Sequence, residues 1–141
     1  MKRTTVDKLR VLVIDDSSTI RAIVSRLIEQ EVGCSVVGVA GDVPTALQLL
    51  AGRYHNVITL DLAMPGIDGL RFLDELRDQL HAPIVVVSSS TREGSSCAAE
   101  ALAMGAEACF DKTKLISDAP RFMRLLKKAA NRQRTVQRLR A

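Results

Sequence analysis

The chain is poor in aromatic rings. Of its 141 residues only 3% are Phe, Tyr or Trp, and Trp is absent. Modules that stack nucleic-acid bases need several exposed rings, so this composition argues against that class. Cysteine is also sparse. Cys34, Cys97 and Cys109 are odd in number and widely spaced, which makes neither a disulfide framework nor a zinc pattern and suits a reducing cytoplasm. Long apolar runs are missing too. Val11–Ile14 and Ile84–Val87 fall far short of the roughly 18–20 residues a membrane helix needs. The basic start, Lys2-Arg3, is followed by no apolar stretch, so no secretory signal pattern is present. Core material, by contrast, is ample. A 47% hydrophobic fraction excludes disorder as the main state. The length suits one domain, since domains cluster at roughly 100–150 residues.

The net charge of +4 conceals an asymmetry. From Arg121 onward there are eight basic residues (Arg121, Arg124, Lys127, Lys128, Arg132, Arg134, Arg138 and Arg140) and no acid. The preceding part holds 12 basic against 16 acidic residues, a net −4. The basic end reads first as a solvated helix end, where cations also suit the helix dipole. Docking onto an acidic partner and contact with nucleic acid are the other readings. No helix-turn-helix fits after residue 130, and the apolar positions there, Val136 and Leu139, are too few for a membrane-binding face.

No fixed-period repeat is present; instead, strands and helices alternate. Val11–Ile14, Val36–Ala40, Val57–Leu60, Ile84–Val87 and Ala108–Phe110 read as five strands. Between them lie helical patterns. Ile20, Ile23, Val24, Leu27 and Ile28 make the first, capped by Ser17 or Asp16. Asp42 caps the second, which has Pro44 in its first turn and Ala46, Leu47 and Leu50 inward. Leu70, Leu73, Leu76 and Leu80 mark the third, after turn chemistry in Met64–Gly69. Ala98, Ala101, Leu102 and Met104 suggest an alanine-rich fourth; Phe122, Leu125, Leu126 and Ala129 give the fifth. Tyr54 is expected to pack at a helix end, and His55 and His81 to lie on the surface at the amino edge of the sheet. Such alternation predicts an α/β fold: a flavodoxin-like, doubly wound parallel sheet in the order 2-1-3-4-5, with its site at the carboxyl ends of the strands.

In that order, one sheet edge collects Asp15 and Asp16 after strand 1, Asp61 after strand 3, Ser88-Ser89-Ser90 after strand 4 and Asp111-Lys112 after strand 5. Taken singly, each has an ordinary explanation: a helix cap, a turn residue, a solvated lysine, a polar loop, and for Asp111 either orientation of Lys112 or simple solvation. Together they form a chemistry. Crowded carboxylates repel and need a cation, and hard oxygen ligands suit Mg²⁺. A cation plus Lys112 would neutralise a phosphoryl group arriving at Asp61.

The segments Val11–Ser17, Thr59–Gly69, Val85–Ser89 and Asp111-Lys112 resemble the receiver domain of two-component response regulators. The likeness covers about residues 10–130, leaving 1–9 as an N-terminal extension and 131–141 as a basic tail that would prolong the last helix. The wording around Asp61 and Val87–Thr91 resembles chemotaxis methylesterase receivers, whereas the length is that of small stand-alone chemotaxis regulators. The resemblance implies that Asp61 accepts a phosphoryl group from a histidine kinase or phosphotransfer protein. It implies that Asp16, Asp61 and the Ala63 backbone carbonyl bind Mg²⁺ directly, with Asp15 acting through water. Lys112 would pair with phosphoryl oxygens, Ser88 would report their presence, and Gly69 would permit the tight turn into the third helix. Signalling to a downstream protein would follow from a shift in the face formed by the fourth helix, fifth strand and fifth helix, and dimerisation through that face stays open.

Three positions depart from the family pattern. The switch aromatic expected three residues before the lysine is Cys109, followed by Phe110; Cys109 itself reads as a small buried hydrophobe. Thr113 stands where many receivers have proline, and Ala63 offers no side chain toward an attacking water. The length leaves no room for a DNA-binding or methylesterase output domain, so the expectation is a cytoplasmic, non-enzymatic messenger or phosphate shuttle. The alternative is the regulatory fragment of a larger enzyme such as a chemotaxis methylesterase. A phosphatase-type hydrolase would want a second acid where Ala63 stands.

Overall fold

Short apolar runs, rich in Val and Ile in all but the last, pair edge to edge as strands covered on both faces. In the computed structural model they form β1 (Arg10–Ile14), β2 (Ser35–Ala40), β3 (Val57–Leu60), β4 (Ile84–Ser88) and β5 (Ala108–Asp111). All pairings are parallel and the order is β2-β1-β3-β4-β5. The helices are α1 (Ser18–Glu29), α2 (Val43–Gly52), α3 (Gly69–Leu76), α4 (Ser96–Ala103) and α5 (Ala119–Arg140). The structure describes residues 8–52, 54–64, 66, 68–77, 81–89 and 96–140, with side chains in the last stretch from 98 to 132. Leu80, Ser90, Thr91 and the Cys97 side chain therefore lie outside the described residues.

Strand alternation divides the core. Val11, Val13, Val85, Val87 and Phe110 face one layer with Val24, Ile28, Phe122 and Leu126 of α1 and α5. Leu12, Ile14, Ile58, Leu60 and Val86 face the other with Ala46, Phe72, Leu73 and Ala101 of α2, α3 and α4. The helix starts obey local chemistry. Ser17 caps α1 by accepting from the Ile20 amide (3.2 Å). Asp42 accepts from the Thr45 amide (2.8 Å), and that backbone bond, with the Thr45 side chain, holds its carboxyl below the usual range.

Four expectations are corrected. Leu47 is half exposed, and Leu49 packs inward instead. From Ala46 the helical period reaches Leu49 and Leu50, whereas Leu47 sits about 100° away. Leu102 is likewise exposed, one step round from the Ala98–Ala101 line that meets the sheet. Tyr54 does not pack at a helix end: it is 68% exposed and its ring lies under the Arg10 guanidinium at 5.4 Å. His55 and His81 stand just before β3 and β4 as expected, but both are half-buried. The helical period after Phe122 continues further than its apolar residues, so α5 runs unbroken through Arg140. No described helix is long and apolar enough to cross a membrane.

Candidate functional site at the carboxyl edge

The parallel register delivers the polar residues to one edge. Ile14 pairs with Leu60, so Asp15 and Asp61 follow side by side. Ser88 pairs with Asp111, so Lys112 follows on the far side. Asp15 is buried and held on several sides. Its amide donates to the Ala40 carbonyl (2.9 Å), and its Oδ1 accepts from the Ser17 amide (2.9 Å). Asp61 is buried too. Its amide donates to the Ile14 carbonyl (3.0 Å), and its Oδ1 accepts from the Ala63 amide (3.1 Å). Asp16 is exposed beside them, and one carboxylate oxygen from each of the three lies within 4.8 Å of the others.

Lys112 bridges the two buried acids. Its Nζ is 3.0 Å from Asp15 Oδ2 and 3.2 Å from Asp61 Oδ2. Burial is the largest influence on Asp15 and raises its pKa, the Asp61 charge adding to it against the opposing pull of the Ser17 amide and Lys112. Burial is also the largest single influence on Lys112 and acts to lower its pKa. Asp15 and Asp61 together outweigh it, so the ammonium is held above its usual value. The cluster is thus a charged, partly dry pocket whose hard oxygen donors suit a small divalent cation.

The surrounding loop is equally specified. Gly69 opens α3 where a Cβ would lie 2.4 Å from the Leu62 backbone, so no side chain fits there. Asp68 caps α3 by accepting from the Leu70 and Arg71 amides. The Met64–Gly69 stretch, read as turn chemistry, thus also contains a helix cap, signalled by an Asp directly before the apolar period. Asp111 is buried, not solvated. It accepts from the Thr113 amide (3.0 Å) and the Thr113 hydroxyl (2.7 Å), capping the short 3₁₀ turn Lys112–Lys114 and so fixing the backbone that presents Lys112. The Asp-x-Thr spacing was the available signal for this cap. Arg21, unmarked in the sequence reading, donates through Nη1 to the Asp15 carbonyl (2.7 Å).

Of the three switch positions, Ser88, Cys109 and Phe110, the two on β5 face opposite ways. Cys109 is half-buried on edge strand β5, with its thiol donating to the Ala98 carbonyl of α4 (3.7 Å). Phe110 is buried on the other side, its ring 5.2 Å from that of Phe122 of α5. Ser88 is fully buried at the end of β4. Ala63 is exposed in the β3–α3 loop.

The model of the response regulator receiver domain matches residues 11–118. The chain belongs to the response regulator receiver domains. Among curated proteins, this receiver is 41% identical over 109 residues to a protein-glutamate methylesterase/protein-glutamine glutaminase of Shewanella sp. (strain MR-7), a match covering 77% of the chain and 31% of the relative. It is 46% identical over 103 residues to one from Myxococcus xanthus, covering 73% and 30%. The chain thus spans less than a third of these relatives' length. Among solved structures, the receiver is similar to the response regulator domain of Thermotoga maritima CheB, with a TM-score of 0.80 and 30% identity over 87% of this chain and 96% of that one. It is also similar to a chain in the complex of the CheA3 P1 domain with CheY6 from R. sphaeroides, with a TM-score of 0.68 and 31% identity over 84% and 95%. The receiver fold and the chemotaxis-like character expected from the sequence are both met.

Proposed function

We propose that this receiver accepts a phosphoryl group on Asp61 and passes the signal on by protein contact. An Asp61 carboxylate oxygen attacks the phosphorus of a phosphohistidine on a histidine kinase or phosphotransfer protein. The P–N bond breaks, and its electron pair returns to the imidazole. Asp16, Asp61 and the Ala63 carbonyl would hold Mg²⁺, with Asp15 in support; when bound, the ion offsets the charge gathering on the phosphoryl oxygens. Lys112, which holds both buried acids in the unphosphorylated state, is free to exchange one of them for a phosphoryl oxygen. The Ser88 hydroxyl, at the end of the adjacent strand, would bond a further oxygen and couple the site to β5 and α4. The observation that carries the reading is the Asp15–Lys112–Asp61 bridge beside an exposed third carboxylate.

The protein acts as a signalling component in the cytoplasm, not as a turnover enzyme. Its downstream contact is the face made by α4, β5 and α5, through which a second copy can also pair. A second reading, the regulatory receiver of a larger methylesterase, is favoured by the relatives, which are more than three times longer than the match. An immunoblot of the native protein from its source cells separates the two by size. The phosphorylation test uses acetyl phosphate with and without Mg²⁺. Wild type takes up label only with Mg²⁺, and Asp61→Asn takes up none; label retained by Asp61→Asn would sink the assignment.

A further inference from the structure

Arg21 stands near the N-terminal end of α1, where the helix dipole opposes a cation. Its side chain is half-buried, and among the described residues no carboxylate ion-pairs with it. The guanidinium instead donates to the Asp15 carbonyl at 2.7 Å. That carbonyl belongs to the rigid peptide plane joining Asp15 to Asp16. One bond from α1 therefore orients the plane from which two of the three clustered carboxylates project. The α1 backbone ties into the same loop, since the Arg21 amide donates to the Ser17 carbonyl (2.9 Å). The same Nη1 rests against Gly41 of the β2–α2 loop, where an added Cβ would lie 2.8 Å from Nη1 and 3.6 Å or more from everything else, the Asp15 carbonyl included at 3.7 Å.

We propose that Arg21 is a positioning residue for the metal-binding loop, and that Gly41 is small in order to admit its guanidinium. The inference rests on the proposed cation site at Asp15, Asp16 and Asp61. Arg21 touches neither ion nor phosphoryl group; it acts through the peptide that carries two of the acids. Simple electrostatics gives the opposite sign, because removing a cation near an acidic cluster should tighten Mg²⁺ binding. Positioning predicts that binding weakens, as it does when outer-sphere partners of metal ligands are lost.

The experiment is Mg²⁺ titration by calorimetry on the full chain, with thermal unfolding of each metal-free variant alongside. Arg21→Met should weaken Mg²⁺ binding by about tenfold. Arg21→Lys, which can still donate to the carbonyl, should recover part of the loss. Gly41→Ala keeps every polar group and displaces only the guanidinium, so it should weaken binding severalfold in wild type and do nothing further in Arg21→Met. Gly41→Ala carries the test alone if Arg21→Met does not fold. Unchanged or tighter Mg²⁺ binding in either single variant would overturn the proposal, as would an equal Gly41→Ala effect in both backgrounds. A wild type that binds no Mg²⁺, or an Asp61→Asn that binds it equally well, overturns the cation site itself and this inference with it.

Discussion

At the scale of single residues, Lys112 decides the state of the pocket. It is the cation against which Asp15 and Asp61 are buried, so its loss leaves two carboxylates facing each other. Lys112→Met should cost about 3 kcal/mol in urea unfolding at neutral pH, the lower end for breaking a buried pair, and added Mg²⁺ should recover much of it. The pH dependence has a definite sign. Because the folded-state pKa of Lys112 is raised above 10.5, its contribution is fully present below 10.5 and is lost as pH rises through the higher folded value. Wild type should therefore lose unfolding free energy across that alkaline window, and Lys112→Met should lose less of it. These acids and the lysine were legible in the sequence because each follows a strand directly. Arg21 was not legible: an arginine on a helix looks solvated until the tertiary fold brings a carbonyl to it.

At the scale of elements, the β3–α3 connection and strand β5 carry the clearest consequences. Gly69 meets the Leu62 backbone so closely that Gly69→Ala must move the loop that follows Asp61. Expected is a loss of about 1–3 kcal/mol, with slower phosphorylation by acetyl phosphate; an unperturbed rate would show that this loop does not set the site. Phe110 belongs to the α5 side of the sheet. Phe110→Ala should cost about 3–5 kcal/mol in urea unfolding, as for other buried rings. Cys109, not Phe110, faces α4. Strand alternation explains this: adjacent residues on β5 must point to opposite faces, so an aromatic shifted by one position cannot serve the same layer. Coupling between Ser88 and α4 would then run through small side chains and the β5 backbone. Strand positions were readable to within a residue or so, because buried parallel strands are continuous apolar runs. The inward faces of α2 and α4 were less readable, since Leu47 and Leu102 are as apolar as their buried neighbours and only the helix phase excludes them.

At the scale of the whole molecule, parallel pairing turns the ends of four strands, β1, β3, β4 and β5, into one site, and the same topology sets α5 in the layer it shares with α1. The helix continues through Arg140, about 33 Å at the standard rise, and from Arg121 onward carries eight basic residues and no acid, against the net acidic balance of the body. The body and this helix are joined by ion pairs, Lys127 with Glu31 of α1 (2.6 Å) and Arg132 with Glu107 ahead of β5 (3.6 Å). Both are substantially exposed, so moderate salt should change the unfolding midpoint little. The fold order was readable from alternation alone. The charge asymmetry was readable as well, and so was the helix that carries it as a basic extension of the last element, although apolar periodicity fades after Ala130.

The central claim is that Asp61 is the residue that becomes phosphorylated. The most direct measurement traps the acyl phosphate with borohydride after reaction with acetyl phosphate and Mg²⁺, then locates the reduced residue by peptide mass spectrometry. The account predicts homoserine at position 61 and nowhere else. Reduction at Asp15 or Asp16 in place of Asp61, or none anywhere in a protein that binds Mg²⁺, would contradict it.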